Sequence, residues 1–212
     1  VPGLPARTLY RIWLMLVAGI LMLGSGVAQA QEAVADAQYT DQVAIITGSS
    51  HGLGHELATL GAGMGMKLVL VDMRPEESEK LAAQIRNDGG QAMVIEADLA
   101  DPARRADVIE QAMDAYGRID FLFNNAGYSY LAKLEQMDLE QAHRLFEVNY
   151  WAYADLAQRV IPIMRAQGGG TIVNVSSFAA VVTPPREAIY AASKAAMNSF
   201  TEGLWHDLAG SN

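Results

Sequence analysis

Val43-Ala44-Ile45-Ile46-Thr47-Gly48-Ser49-Ser50-His51-Gly52-Leu53-Gly54 is an apolar run that breaks into a glycine-rich turn. The run, rich in β-branched residues and ended by Thr47-Gly48, predicts a buried strand. His55 to Leu60 and neighbours continue as a helix, with an end softened by Gly61, Gly63 and Gly65. A strand feeding a glycine turn and then a helix N-terminus is an arrangement that holds phosphate, because the first helical N–H groups are free and carry partial positive charge. Gly48 allows the tight turn, Gly52 lets a pyrophosphate approach the backbone, and Gly54 lets helix and strand pack closely. Ser50, His51 and Leu53 complete the cofactor-binding turn; His51 either meets a phosphate or faces solvent.

Outward from this turn, strand and helix patterns alternate. Lys67 to Asp72 predicts a second strand and Pro75 to Asn87 a helix, with Pro75 and acidic residues at its start and Gly89-Gly90 after its end. Met93 to Ala97 predicts a third strand. Pro102 to Tyr116 predicts a helix capped by Asp101. Phe121 to Phe123 predicts a fourth strand, and Asp138 to Met164 a long helical region bent near Pro162. Gly170 to Ser176 predicts a fifth strand, and Glu187 to Leu208 a last helix. Continuous apolar strands alternating with helices indicate a parallel sheet covered on both faces. With right-handed crossovers this is an α/β, Rossmann-like, doubly wound sheet in a single domain spanning residues 42–212.

The chain has 212 residues, no cysteine and a formal net charge of −9. The missing thiols exclude disulfides, thiolate catalysis and cysteine-bound zinc. The acidic balance argues against nucleic-acid binding, which needs a basic face. His143 and His206 lack ligand-spaced partners, so no metal is expected. Residues 1–31 read differently from the domain. Arg7 and Arg11 precede the apolar run Ile12 to Leu23, and Ala28-Gln29-Ala30 offers a small-x-small cleavage site. This segment reads as a signal peptide or a membrane anchor, with membrane association through residues 12–28. Residues 32–41 read as a polar linker. A basic start would send the remainder outward, whereas a dinucleotide held by the glycine turn is generally supplied in the cytoplasm, so the compartment stays open.

Several residues have the chemistry to act on such a cofactor. Asp72 ends the second strand, where a carboxylate can accept bonds from ribose hydroxyls and repel a 2′-phosphate. NAD is therefore the preferred cofactor, with NADP possible because Arg74 lies two residues on. Tyr190 and Lys194 are four apart on a predicted helix and so share a face. An ammonium near a phenol favours phenolate, which lets the tyrosine exchange a proton with an alcohol or carbonyl. Ser177, just after the fifth strand, can donate to a substrate oxygen; Ser176 is its rival. Asn149 sits in a predicted helix, where asparagine is a poor choice.

The TGxxxGxG spacing of Gly48, Gly52 and Gly54, Asn124-Asn125-Ala126-Gly127, Asn149, Ser177 and Tyr190-Ala191-Ala192-Ser193-Lys194 occur in an order that resembles the short-chain dehydrogenase/reductase family. The resemblance implies that Tyr190 is the acid/base, Ser177 orients the substrate oxygen, Lys194 binds ribose and lowers the tyrosine pKa, and Asn149 distorts its helix and holds a relay water. It also implies that Asp98 and Leu99 meet adenine and that Asn125, Ala126 and Gly127 line the cofactor pocket. Tyr128, Tyr130, Phe178, Val182 and Ile189 are candidates for the substrate wall and favour an apolar alcohol or ketone. A homo-oligomer is implied for the full-length protein. The chain stops at Asn212, about twenty residues after the Tyr-Lys pair, whereas the family continues through a further strand and a substrate-covering segment. The expectation is therefore a C-terminally truncated copy of low stability or activity. Competing readings on the same scaffold are a non-catalytic dinucleotide-binding protein and a lyase or epimerase.

Overall fold

In the computed structural model the described residues are 39–210. The signal or anchor segment, its membrane association and nearly all of the linker lie outside them. Five strands form one parallel sheet: β1 Val43–Thr47, β2 Lys67–Asp72, β3 Gln91–Glu96, β4 Phe121–Asn124 and β5 Thr171–Asn174, in the spatial order β3-β2-β1-β4-β5. Ile45 is in register with Val69 of β2 on one side and with Leu122 of β4 on the other. The helices are α1 Gly52–Gly63, α2 Glu76–Asn87, α3 Pro102–Tyr116, α4 Leu139–Phe146, α5 Ala152–Ala166 and α6 Ala188–Asp207. Among the described residues no helix is long and apolar enough to cross a membrane.

The period-2 geometry of a strand divides the apolar residues between two cores. Val43 and Ile45 face α3, α5 and α6, packing with Val108, Tyr153, Leu156 and Met197. Ala44 and Ile46 face α1 and α2, packing with Ala58, Leu81, Ala82 and Ile85. Both faces are thus dry, which is why the strands read as unbroken apolar runs. The sheet grows from β1 in both directions, so the strand order reverses between β1 and β4. That reversal opens a crevice at the carboxyl ends of these two strands.

Several boundaries differ from the sequence reading, among them β5, which ends at Asn174 and not at Ser176. Helix α1 begins at Gly52, not His55, and runs through Gly61 to Gly63. Gly61 is useful there: a Cβ would lie 3.2 Å from the Leu68 side chain, so the helix sits low on the sheet. Strand β3 starts two residues earlier than predicted and ends at Glu96, because all six of its residues pair with β2. The long helical region is not interrupted at Pro162, which lies inside α5. It is interrupted at Glu147–Trp151, which form a π-helical turn between α4 and α5. The predicted Asp101 cap is present, its carboxylate accepting from the Ala103 N–H at 2.9 Å.

Candidate active site

The glycine turn is built around Thr47, the last residue of β1. Its Oγ1 donates to the Phe123 carbonyl and accepts from the Asn125 and Ala126 N–H groups at 2.9 and 3.0 Å. Asn125 answers with its side-chain amide, which donates to the Thr47 and Gly48 carbonyls. Gly48 and Gly52 have φ values of 68° and 55°, in the left-handed region that favours glycine. A Cβ on Gly48 would come within 2.8 Å of Ala126 Cα, and one on Gly54 would overlap the Gly48 carbonyl. Gly52 has open space in front of it. The first turn of α1 holds no acidic residue and no capping side chain, so its N–H groups point at that space with their partial charge uncancelled. His51 and Leu53 are exposed beside it.

Asp72 closes this turn from the side. One carboxylate oxygen accepts from both the N–H and the hydroxyl of Ser50, at 3.1 and 2.7 Å; the other accepts from the Arg74 N–H. Because the Ser50 hydroxyl proton goes to Asp72, its oxygen accepts from His51 Nδ1 at 2.8 Å. After β3, Asp98 accepts from the Ala100 N–H and pairs with Arg144 of α4 at 2.7 Å. The Arg144 guanidinium and the Ala100 bond hold the Asp98 carboxyl below the usual range against the opposing effect of burial. Leu99 is buried beneath this loop.

The Tyr-Lys helix meets the Asn-Asn-Ala-Gly loop and the π turn at Gly127. A Cβ there would lie 3.1 Å from Asn149 Oδ1 and 3.4 Å from Lys194 Nζ. Asn149 is completely buried. Its side chain binds the Tyr128 backbone like a strand neighbour, accepting from N–H at 3.1 Å and donating to C=O at 3.0 Å, and it donates to Ser193 Oγ. Lys194 is 3 % exposed. It donates to the Val175 carbonyl at 2.9 Å and to the Tyr153 hydroxyl at 3.4 Å, and it lies over the Tyr153 ring. Burial lowers its pKa to about 8. Tyr190 is half-buried one turn before it on α6. Ser177 Oγ accepts from the Ala179 N–H, which leaves its own O–H to donate. Ser176 is turned away, donating to Asn198 at 2.6 Å.

Of the wall candidates, Tyr128, Phe178 and Val182 are exposed and Ile189 is half-buried. Tyr130 differs: its hydroxyl accepts from the Asp138 N–H and braces the start of α4. Sequence reasoning missed Thr47, Tyr153, Arg144 and Arg105. Tyr153 is fully buried and donates to the Ala126 carbonyl at 2.7 Å, while burial and nearby Tyr190 raise its pKa. A tyrosine four residues after Asn149 in an otherwise apolar helix face was the available signal. Among the described residues no cluster of three or more His, Cys, Asp or Glu side chains could hold a metal ion.

The family model described as short chain dehydrogenase matches residues 42–212. A CLA biosynthesis dehydrogenase/reductase from Lactiplantibacillus plantarum is 35% identical over 175 residues, covering 82% of this chain and 61% of that protein. An uncharacterized oxidoreductase from Thermotoga maritima is 32% identical, covering 78% of this chain and 65% of its own length. The chain therefore spans about three fifths of these curated relatives. An NAD-bound short-chain dehydrogenase/reductase from Burkholderia phymatum superposes with a TM-score of 0.79 at 34% identity, covering 82% of this chain and 63% of that one. A metagenomic short-chain oxidoreductase in complex with NADP gives 0.77 at 30% identity, covering 80% and 77%.

Proposed function

We propose that this chain, which belongs to the short-chain dehydrogenase family, transfers a hydride between a nicotinamide dinucleotide and an alcohol or carbonyl substrate. The observation that carries the reading is the convergence at Gly127: a buried lysine, a tyrosine one helical turn away and a π-distorted asparagine meet beside a glycine cradle. The fit of the cradle to a pyrophosphate rests on the two positive-φ glycines and the uncapped start of α1. Gly48, Ser50, His51, Gly52, Leu53 and Gly54 would hold the phosphates. Asp72 would take the adenosine ribose, Asp98 and Leu99 the adenine, and Asn125, Ala126 and Gly127 the nicotinamide half. The dinucleotide, when bound, supplies the hydride acceptor or donor.

The chain's own residues handle the proton. Tyr190 exchanges it with the substrate oxygen. Ser177 donates to that oxygen and polarises it. Lys194, stacked on Tyr153 and held by Val175, lies one helical turn after Tyr190 on α6, where its ammonium would bind the nicotinamide ribose. Asn149 fixes the Tyr128 backbone and keeps the π turn against the lysine. Asp72, already ordered by Ser50 and Arg74, supports NAD as the preferred cofactor, since its charge opposes a 2′-phosphate. Exposed Phe178, Val181, Val182 and Tyr128 support an apolar alcohol or ketone. The exposed Trp151 and Trp205 support a homo-oligomer of the full-length protein. The test is a fluorescence titration with NADH and NADPH, followed by turnover of Tyr190→Phe. NADH binding at least tenfold tighter, and loss of at least 100-fold in turnover, are expected. A Tyr190→Phe protein with full turnover would overturn the assignment.

A further inference from the structure

We infer that Arg105 is a positioning residue, tying the loop after β3 to the π turn that carries Asn149, so that the two ends of the dinucleotide site are held in one register. The inference rests on the reading proposed above. Arg105 lies in α3, away from the crevice, and is 3 % exposed. Its Nε donates to the Leu99 carbonyl at 2.6 Å, and Nη2 reaches the Ala100 carbonyl at 3.4 Å. The same Nη2 donates to the Glu147 carbonyl at 3.2 Å and to the Glu147 carboxylate at 2.6 Å, while Nη1 faces Asp155 of α5 at 3.7 Å. One planar guanidinium therefore spans three segments that are up to 56 residues apart in sequence.

The Glu147 carbonyl is where the distortion begins. In an α-helix it would accept from Trp151; here it accepts from the Ala152 N–H, five residues on. A π turn packs an extra residue into the helix and is poorly stable by itself. The second bond from Arg105 holds that carbonyl in place. If the turn relaxed, Asn149 would leave the Tyr128 backbone, and the packing of Asn149 and Lys194 against Gly127 would loosen and let more water reach the lysine. A lysine in place of Arg105 could not make the same set of bonds, because an ammonium is a point donor and the guanidinium is a fork.

The test reads Lys194 directly. The chain has four lysines, so 13Cε-lysine NMR on the full chain follows each through a pH titration. The groups facing Lys194 are Tyr153, the Val175 carbonyl and, across Gly127, Asn149, with Tyr190 one turn before it on α6. Arg105→Gln removes the fork. Arg105→Gln/Glu147→Gln removes the facing carboxylate as well and covers the case where the single variant does not fold. Glu147→Gln alone, at a half-exposed position, is a milder third variant. With cooperative unfolding retained, the Lys194 midpoint is expected to rise by at least half a pH unit and NADH affinity to fall at least threefold. Glu147→Gln is expected to shift Lys194 less, in the same direction. Folded variants with an unmoved Lys194 midpoint and unchanged NADH affinity would overturn the inference and leave Arg105 as packing. Failure of the wild-type chain to bind NADH would instead sink the nucleotide reading, while the Lys194 shift would still decide the role of Arg105.

Discussion

At Lys194 burial works against the charge that the proposed chemistry needs. A lysine held at about 8 instead of 10.5 costs on the order of 3 kcal/mol in its charged form. The unfolded chain therefore binds the proton more tightly than the folded chain, and stability rises with pH between about 8 and 10.5. Lys194→Met removes this cost and gives up the bond to Val175, worth about 1 kcal/mol. The variant is expected to be inactive yet more stable than wild type below pH 8, with the difference closing by pH 10.5. Denaturant unfolding across that range checks it. A gap independent of pH would mean that Lys194 is not desolvated. The glycines give a second contrast. Gly54→Ala would drive a methyl into the Gly48 carbonyl and should cost about 1–3 kcal/mol and nucleotide binding. Gly52→Ala meets open space and should cost only its backbone strain, about 1 kcal/mol. Equal losses in thermal unfolding would contradict the cradle geometry.

At the scale of elements, the π turn is the part most exposed to a single change. Asn149→Ala would leave the Tyr128 N–H and C=O without their side-chain partner and should lower the unfolding free energy by about 2 kcal/mol. Asn149→Asp should cost more, because a carboxylate at a completely buried site would face the Tyr128 carbonyl. Urea titration of the two variants orders them, and the reverse order would argue that the aspartate finds a donor. A distortion at Asn149 was expected from the family resemblance, but its π form and its start at Glu147 were not legible in the chain. One inserted residue hardly disturbs a 3.6-residue pattern. The strands and most helices were legible, since dry-faced strands show as apolar runs and α2 and α3 carry charge or cap signals at their starts. Tyr190 and Lys194 were legible for the same local reason, a fixed spacing on one helix, whereas Ser177 and Asn149 were picked out by their places after the fifth strand and within the long helix. Thr47, Tyr153 and Arg105 were not, because their partners are set by the packing of distant segments.

Across the whole molecule, the switch between β1 and β4 gathers the proposed site from the carboxyl ends of strands that are far apart in sequence. A ligand held by such a site stabilises the fold by mass action. NADH at about 100 times its Kd is expected to add about 2.7 kcal/mol, which for a domain of this size raises Tm by roughly 5–10 °C. Differential scanning fluorimetry with NADH and NADPH reads the effect, with the smaller rise expected for NADPH. No rise with either would count against a formed cradle.

Thr47 also sets a schedule. Its bonds to Phe123, Asn125 and Ala126 cross 76, 78 and 79 residues of chain. The turn that would grip phosphate is synthesised early, but the loop that completes it follows only after roughly 4–16 s at ordinary elongation rates. During that interval the newborn segment has its glycines and no rigid wall to press them against. Slowing the ribosome between these two segments would lengthen the time in which a half-built nucleotide site is open to chaperones and proteases.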